Sequence, residues 1–186
     1  EDKIKLGSNM FVYPMAVTLV GTHLGDRPNF TTVSWLTRVN VHPPMIAVSL
    51  NPDHNSTKAI LQNREFSINY PGADMAEVAD MCGILKGPRS GKAQFFDVYD
   101  GELTYAPMIR EATLSLELTV HSVLELPSNV LVIGKIVNSY SESRYLTNGK
   151  PDVEKMDPLA LTMPDNRYWR LGDSVGKAWY IGRPNR

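Results

Sequence analysis

The segment Thr113–His121 alternates strictly between polar and apolar side chains, and this pattern constrains the fold more than any other feature of the sequence. Its apolar positions are Leu114, Leu116, Leu118 and Val120. Because successive side chains of a strand point to opposite faces, the period of two predicts a half-buried β-strand. After a break at 127–129, the apolar run 130–137 predicts a strand covered on both faces. We expect the two strands to pair as a long hairpin.

Further runs along the chain are typical of strands, because they are rich in β-branched and aromatic residues and are bounded by turn-forming residues. These runs are Val12–His23, Thr31–Val39, Met45–Leu50 and Phe66–Tyr70, with turn chemistry at 25–29 between the first two. About six strands without a regular alternation of strand and helix predict a mainly β protein built on a β-barrel with helical additions.

Two short helices are predicted between these strands. Residues 51–56 carry helix-starting side chains, so we expect a helix over 57–63. Asp74 and Glu77 match a capping box for a second helix, and Gly83 stands where the C-terminus of that helix is expected. The polar, Pro-rich segment 141–167 has no clear period and is predicted to be a long connection, which ends at the aromatic pair Tyr168 and Trp169.

Length and charge limit the kinds of partner that the protein is expected to bind. The chain has 186 residues, of which 42% are hydrophobic, so we expect a single domain over residues 1–186. A formal net charge of -1 favours neither nucleic acid nor an anionic membrane surface as a partner. The sequence has no apolar run long enough to span a membrane, and residues 1–10 lack the apolar region expected of a secretory leader. Its single cysteine, Cys82, is typical of a reducing compartment. We therefore expect a soluble, cytoplasmic protein.

Sequence motifs for metals and for dinucleotides are absent. The four histidines are scattered without ligand spacing and no Cys-x-x-Cys occurs, so no metal site is expected. No Gly-x-Gly-x-x-Gly follows a predicted strand, so a nicotinamide nucleotide would have to bind in another way than in a Rossmann fold.

Three consecutive segments nevertheless carry the chemistry that a flavin mononucleotide requires. The strand around Thr31–Trp35 offers fixed backbone groups to the edge of a flat ring. Ser56 and Thr57 bring hydroxyl groups to a helix N-terminus, which favours a phosphate. Lys58 and Lys92 could add positive charge. Each feature alone has an ordinary explanation, as a helix cap, a core aromatic or a solvated surface lysine, and only the ordered combination favours a flavin site.

The ordered motifs resemble the flavin reductase-like, FMN-binding split-barrel family. The matching segments are Asn29–Trp35, the strand from Pro43 to Leu50 that ends in Val-Ser-Leu, the helix start Thr57–Ile60 and the strand Phe66–Asn69. The similarity continues through Gly91-Lys92, Ala106–Ile109 with Glu117, Ile133–Ile136, Tyr168, Leu171-Gly172 and Gly176. The similarity covers most of the chain, and flavoredoxin-type proteins are the family members that this sequence resembles most.

The resemblance implies a homodimer of Greek-key split β-barrels, each holding FMN near the interface, with a barrel core at about 10–140 and an extension at about 141–186. It implies FMN contacts from Asn29, Thr31, Thr32, Val33, Ser34 and Trp35 along the flavin, from Ser49, Leu50 and Asn51 beside the ring or ribityl chain, from Ser56, Thr57, Lys58 and Lys92 around the phosphate, and from Tyr168. It assigns no catalytic acid or base.

Three functions agree with the sequence. The first is an FMN-dependent oxidoreductase that takes electrons from NADH or NADPH and passes them to free flavin or another acceptor. The second is a flavoredoxin-like protein that exchanges electrons with redox proteins and oxidises nicotinamide nucleotides poorly. The third is a barrel with a structural or small-ligand role and no flavin.

Overall fold

Strands dominate the computed structural model, which describes residues 2–85 and 91–183. The strands are β1 Met15–Ala16, β2 Thr18–Leu24, β3 Arg27–Val33, β4 Leu36–Asn40, β5 Met45–Leu50, β6 Glu65–Tyr70, β7 Val98–Tyr99, β8 Met108–Ile109, β9 Leu114–Glu125, β10 Val130–Tyr140, β11 Leu146–Thr147, β12 Lys150–Pro151, β13 Leu159–Thr162 and β14 Arg167–Arg170. The helices are α1 Asn55–Asn63, α2 Ala76–Ile84 and α3 Val153–Met156. The prediction of a mainly β protein with short helices is confirmed.

Seven strands form one antiparallel sheet in the order β3-β2-β6-β9-β10-β5-β4. The predicted hairpin of β9 and β10 is confirmed, and two irregularities in its register interrupt the pairing. Strands β1, β13 and β14 form a separate three-stranded sheet. In the seven-stranded sheet, β2 pairs with β6 and β6 pairs with β9. This sheet thus joins segments that are far apart in sequence.

Two apolar clusters stabilise this arrangement. The first lies within the large sheet and includes Phe66, Ile68 and Leu118. The second packs α2 against the sheet through Ala79 and Cys82, together with Leu19, Phe30 and Ile109. Each large side chain buried in this way contributes about 1.5–3 kcal/mol of transfer free energy.

Gly134 on β10 is required by the packing of the first cluster. A Cβ atom at this position would lie 2.5 Å from the ring of Phe66, which is buried. Because that ring is fixed in the core, a larger residue here would force the strands apart.

The prediction of one strand over Thr31–Val39 is wrong, because the chain leaves the sheet at residues 34–35 and returns at the opposite edge. β3 pairs with β2, whereas β4 pairs with β5. The run 12–23 is likewise divided into β1 and β2, which belong to different sheets.

The second helix starts differently from its prediction. Residues Ala73–Met75 form a 3-10 turn, α2 begins at Ala76, and no side chain caps it, so the capping box of Asp74 and Glu77 does not form. Gly83 lies in the last turn of α2, one residue before the helix ends at Ile84, so the C-terminus lies close to its predicted place. A Cβ atom at Gly83 would lie 3.5 Å from Thr32 of β3, which is an ordinary contact distance.

Burial along the hairpin also differs from the sequence pattern. The polar positions Ser115 and Glu117 of β9 are buried, so this strand is covered on both faces over its first half. β10 is covered only in its first half, since Lys135 and Val137 are exposed. The segment 141–167 is not a simple connection, because it contains β11, β12, α3 and β13.

Candidate functional site

Polar residues from three separate segments meet around a cavity of about 180 Å³, which we call the anion pocket. β3 contributes Asn29 and Thr31, the start of α1 contributes Ser56, and Lys92 follows in a short 3-10 turn. The remaining lining residues are Leu24, Asp53, His54, Asn55, Gly83 and Leu85. Four of the residues predicted from sequence thus lie around one cavity.

One hydrogen bond holds the side chains of Asn29 and Ser56 together at the wall of this pocket. The Asn29 Nδ2 atom donates to the Ser56 Oγ atom at 3.0 Å, and both residues are buried. A buried bond of this kind contributes about 1 kcal/mol and joins β3 to α1. The Ser56 hydroxyl accepts this bond, so its own proton remains able to point toward a ligand.

The N-terminus of α1 opens into the same pocket. His54 precedes the helix with an extended backbone, and no side chain caps the helix at this position. The first amides of a helix have no partner within it, and they carry a partial positive charge. Ser56 and Thr57 lie inside the helix rather than at its cap, so the ordinary capping explanation of this pair is wrong.

Lys92 is the buried cation of the pocket, with only 7% of its surface exposed. Its Nζ atom donates to the Cys82 carbonyl oxygen at 2.9 Å, which joins the short turn to α2. Burial lowers the pKa of Lys92 below its usual value of 10.5, because desolvation disfavours the charged amine. Burial likewise raises the pKa of the Cys82 thiol to about 11, although the nearby lysine opposes this change.

Three other predicted phosphate or flavin contacts lie outside the lining of the anion pocket. The Thr57 hydroxyl donates to the Asn51 carbonyl oxygen at 2.7 Å, so this side chain stabilises the loop before α1. Lys58 is exposed on the helix surface. The Thr32 hydroxyl donates to the Ala79 carbonyl oxygen, which joins β3 to α2.

A second, larger cavity of about 720 Å³ contains the next group of predicted residues, and we call it the ring pocket. Ser34, Trp35 and Ser49 line it, and the backbone of Ser49 donates to the Trp35 carbonyl oxygen at 2.9 Å. The rest of the lining is Asn9, Met10, Phe11, Val12, Pro14, Met15, Ala16, Leu36, Thr37, Ala47 and Leu131. This lining is mostly apolar, as a flat ring system would require.

The remaining predicted residues are not among the lining residues of either cavity. Val33 and Leu50 are buried in the first apolar cluster. Asn51 is exposed, and its side chain accepts a hydrogen bond from the Asp53 amide at 2.9 Å. The Tyr168 hydroxyl on β14 donates to Asp80 of α2 at 2.8 Å. Burial and this bond raise the pKa of Tyr168 to about 12.

The sequence pattern missed several lining residues. Asp53 and His54 lie directly before α1. Their position before a predicted helix start could have indicated that they line the pocket. Gly83 and Leu85 had no such signal, because only the packing of α2 against β3 brings them to the pocket. The N-terminal residues 9–12 were also unexpected, since no periodic pattern marks them.

Within residues 2–85 and 91–183, no three His, Cys, Asp or Glu side chains come together as metal ligands would. No helix there is long and apolar enough to cross a membrane.

Known flavoredoxins have folds very similar to this one. The flavoredoxin of Methanosarcina acetivorans is 45% identical, with a TM-score of 0.95 over 98% of both chains. The flavoredoxin of Desulfovibrio vulgaris (Miyazaki F) is 28% identical, with a TM-score of 0.92 over 98% of this chain and 100% of the other. Solved flavin reductase folds with a split-barrel domain are also similar.

Curated sequences extend this similarity to enzymes. An NADH-dependent FAD reductase of Streptomyces globisporus is 25% identical over 142 residues, which are 75% of this chain and 76% of that protein. An uncharacterized protein of Aeropyrum pernix is 22% identical over 151 residues, and the chain spans only 57% of its length. The profile of the flavin reductase like domain matches residues 10–160. This match covers most of the sequence, and the chain therefore belongs to the flavin reductase-like family.

Proposed function

We propose that the chain binds FMN and acts as a flavin-dependent oxidoreductase. The observation that carries this proposal is the grouping of three buried polar residues, Asn29, Ser56 and Lys92, around one pocket at a helix N-terminus. A buried lysine and free helix amides together favour a phosphate monoester, because both supply positive charge in a partly desolvated place.

The two cavities follow the order of the parts of FMN. Asn29 and Thr31 line the anion pocket, and Ser34 and Trp35 line the ring pocket a few residues further along the chain. An extended chain rises roughly 3.3 Å per residue, so Asn29 and Trp35 are separated by at most about 20 Å. This span supports a phosphate in the first pocket and a flat ring in the second.

When bound, flavin supplies the acceptance and release of a hydride or of single electrons. The residues of this chain bind and orient it. In the proposal, Lys92, Ser56 and the α1 amides hold the phosphate, while the backbone near Trp35 and Ser49 faces the ring. The mostly apolar ring pocket limits the access of water to the ring.

Two roles, which differ in their electron donor, are supported by different relatives. The NADH-dependent FAD reductase supports NADH as the donor and FAD as one acceptor. The flavoredoxin of Methanosarcina acetivorans supports the second candidate, an electron-transfer protein that exchanges electrons with redox proteins. Both roles use the bound flavin as the redox group, and the 45% identity to the flavoredoxin over nearly the whole chain is the reason to test the second role beside the first.

Stopped-flow mixing of the FMN-loaded protein with NADH and with NADPH tests the two roles. Rapid bleaching of the flavin absorbance is expected for the oxidoreductase, whereas an electron carrier would bleach slowly with both nucleotides. A visible spectrum of the purified protein, recorded before and after adding FMN, tests the proposal itself. A protein that binds no flavin would reject both roles and favour a structural or small-ligand barrel.

A further inference from the structure

Gly83 stands in the last turn of α2, where the helix itself gives no reason for a glycine. Glycine is among the least favourable residues inside a helix and alanine is the most favourable, so a helical glycine usually has a packing or functional cause. A glycine that ends a helix adopts the left-handed conformation beyond the last turn. Gly83 does not have this role, because α2 continues to Ile84 and its C-cap residue, Leu85, is extended with φ -69° and ψ 131°. The backbone of α2 therefore does not require glycine at this position.

Packing against the sheet does not require a glycine at position 83 either. A Cβ atom there would lie 3.5 Å from the Cβ atom of Thr32 and 3.6 Å from its Oγ1 atom, which are ordinary van der Waals distances. Apart from adjoining residues and the helix backbone, no other atom within residues 2–85 and 91–183 comes within 4 Å of that position. Gly134 differs, because a Cβ atom there would meet the ring of Phe66 at 2.5 Å. An alanine at position 83 thus fits the flavin-free protein.

The space beside Gly83 belongs to the anion pocket. Gly83 is exposed and is one of the residues that line this cavity. The Lys92 Nζ atom donates to the carbonyl oxygen of Cys82, the preceding residue, at 2.9 Å. A phosphate oxygen that accepts from the same amine would lie roughly 2.8 Å from it, and therefore within about 6 Å of that carbonyl oxygen. A phosphate bound by Lys92 thus lies beside the last turn of α2, where the chain has no side chain.

The charge of this turn makes a close approach of the phosphate depend on Lys92. The carboxyl end of a helix carries a partial negative charge, which is unfavourable for an anion. The amine of Lys92 bonds to a carbonyl oxygen of this turn and places a full positive charge next to it. A side chain at position 83 would come between the phosphate and this amine.

We propose that Gly83 is a specificity-determining residue of the anion pocket, because its missing side chain leaves the space that the phosphate of FMN occupies beside Lys92. This inference rests on the proposed flavin function. The phosphate is the group that distinguishes FMN from riboflavin, so position 83 decides how strongly the chain prefers the phosphorylated flavin. A methyl group at this position lengthens or misaligns the hydrogen bond between the phosphate and the amine, and such bonds weaken steeply with poor geometry.

Gly83→Ala tests this inference through fluorescence titration of the flavin-free protein with FMN and with riboflavin. FMN affinity should fall by about tenfold, whereas riboflavin affinity should stay within about twofold of the wild-type value. Thermal unfolding of the flavin-free variant, followed by circular dichroism, should occur at the same or a higher temperature than in wild type, because alanine favours the helix. A loss of FMN affinity without a loss of stability is a result that a structural role for Gly83 would not give.

Gly172→Ala is the matched control for this substitution. Gly172 has no positive φ, a Cβ atom there would meet no described atom within 4 Å, and it lines neither the anion pocket nor the ring pocket. The control should change neither affinity. Unchanged FMN affinity in Gly83→Ala would overturn the inference, as would an equal loss of FMN and riboflavin or a lower unfolding temperature. A wild-type protein that binds neither flavin would instead reject the proposed function, so the two failures are distinguishable.

Discussion

Lys92 is the residue that best distinguishes the anion pocket from an ordinary helix N-terminus. A lysine in a glycine-rich loop is usually a solvated surface charge, and the sequence alone favours that explanation. In the structure its stem is buried and its amine bonds to the Cys82 carbonyl oxygen. Burying a cation is unfavourable unless it gains partners, so a lysine kept in this position is consistent with an anionic ligand.

Lys92→Met removes this charge and keeps most of the side-chain volume. A hydrogen bond to a charged group contributes about 1.5–3 kcal/mol, so FMN affinity should fall by about ten- to a hundredfold. Riboflavin has no phosphate, and its affinity should remain nearly unchanged. Fluorescence titration of the flavin-free protein measures both ligands.

Lys58→Met is the comparison for this variant, because Lys58 is exposed and lies outside the lining of the anion pocket. We expect it to reduce FMN affinity less than Lys92→Met does. An equal loss in both variants would show that general positive charge, rather than the buried amine, attracts the phosphate.

The pH dependence of FMN binding follows from the same residue. Burial lowers the pKa of Lys92 below 10.5, so in the flavin-free protein the amine loses its proton at a lower pH than a solvated lysine would. FMN affinity should therefore decline as the pH rises through this lowered pKa. The Cys82 thiol, with its pKa raised to about 11, stays protonated over most of this range, so no thiolate charge contributes to the decline.

Titrations between about pH 7 and pH 10 on wild type and Lys92→Met measure this decline. The variant has no amine to titrate, so its affinity should stay flat over the range in which wild-type affinity falls. Parallel curves for the two proteins would contradict the assignment of the titrating group to Lys92.

Only part of the site could be predicted from individual residues. Ser56 was identified because a hydroxyl group at a helix start is a local signal, whereas Asn29 was identified only through the family resemblance. Their hydrogen bond joins segments 27 positions apart, and no local pattern specifies it. Gly83 and Leu85 could not be predicted, since they reach the pocket only when α2 packs on the sheet.

At the scale of the elements, β9 shows why alternation predicted a strand but not its environment. The period of two is correct, yet the polar face is covered by the segment 101–109. Glu117 is fully buried and accepts hydrogen bonds from the amides of Glu102 and Leu103, both at 2.9 Å. It also accepts one from the Tyr140 hydroxyl at 2.6 Å. A polar residue that binds a loop is indistinguishable in sequence from one that faces water.

Glu117→Ala should lower the free energy of unfolding by about 3 kcal/mol, because it removes three hydrogen bonds to a buried carboxylate and leaves two partly buried amides without that partner. Tyr140→Phe removes one hydrogen bond and leaves the two amides bonded to Glu117, so the free energy of unfolding should fall by about 1 kcal/mol. Urea denaturation followed by far-UV circular dichroism measures both variants. Equal losses would indicate that the loop is not held mainly by the Glu117 carboxylate.

The prediction of elements succeeded where contacts are local and failed where the chain changes sheets. The hairpin of β9 and β10 and the helix α1 depend on neighbouring residues, and both were predicted. The boundary at residues 34–35 depends on which strand pairs with which, since β3 and β4 occupy opposite edges of the large sheet. Their sequence is continuous in strand propensity, so no break was visible.

At the scale of the whole molecule, the two terminal segments stand out because they carry large apolar side chains that pack against little. Exposed examples are Ile4 and Leu6 near the start, with Val175, Trp179 and Ile181 near the end. Val175 and Trp179 are 93% and 89% exposed. Large apolar side chains exposed in such numbers within two short segments favour an interface with a second copy of the chain.

We therefore predict a homodimer in solution, as the family resemblance implied. Size-exclusion chromatography with light scattering should give a mass near twice the 20.8 kDa of one chain. The double variant Trp179→Ser and Ile181→Ser should shift the mass toward the monomer, because it removes apolar area that an interface would bury.

Leu124→Ser is the control for this double variant, since Leu124 is an exposed leucine near the end of β9, far from the terminal segments in sequence. It should leave the dimer intact. FMN titration of the monomeric variant then tests whether the second subunit completes the flavin site. Weakened FMN binding in the monomer would support a shared site, because neither substituted residue lines the anion pocket or the ring pocket. A wild-type chain that is monomeric at all concentrations would contradict the dimer and assign the whole site to one subunit.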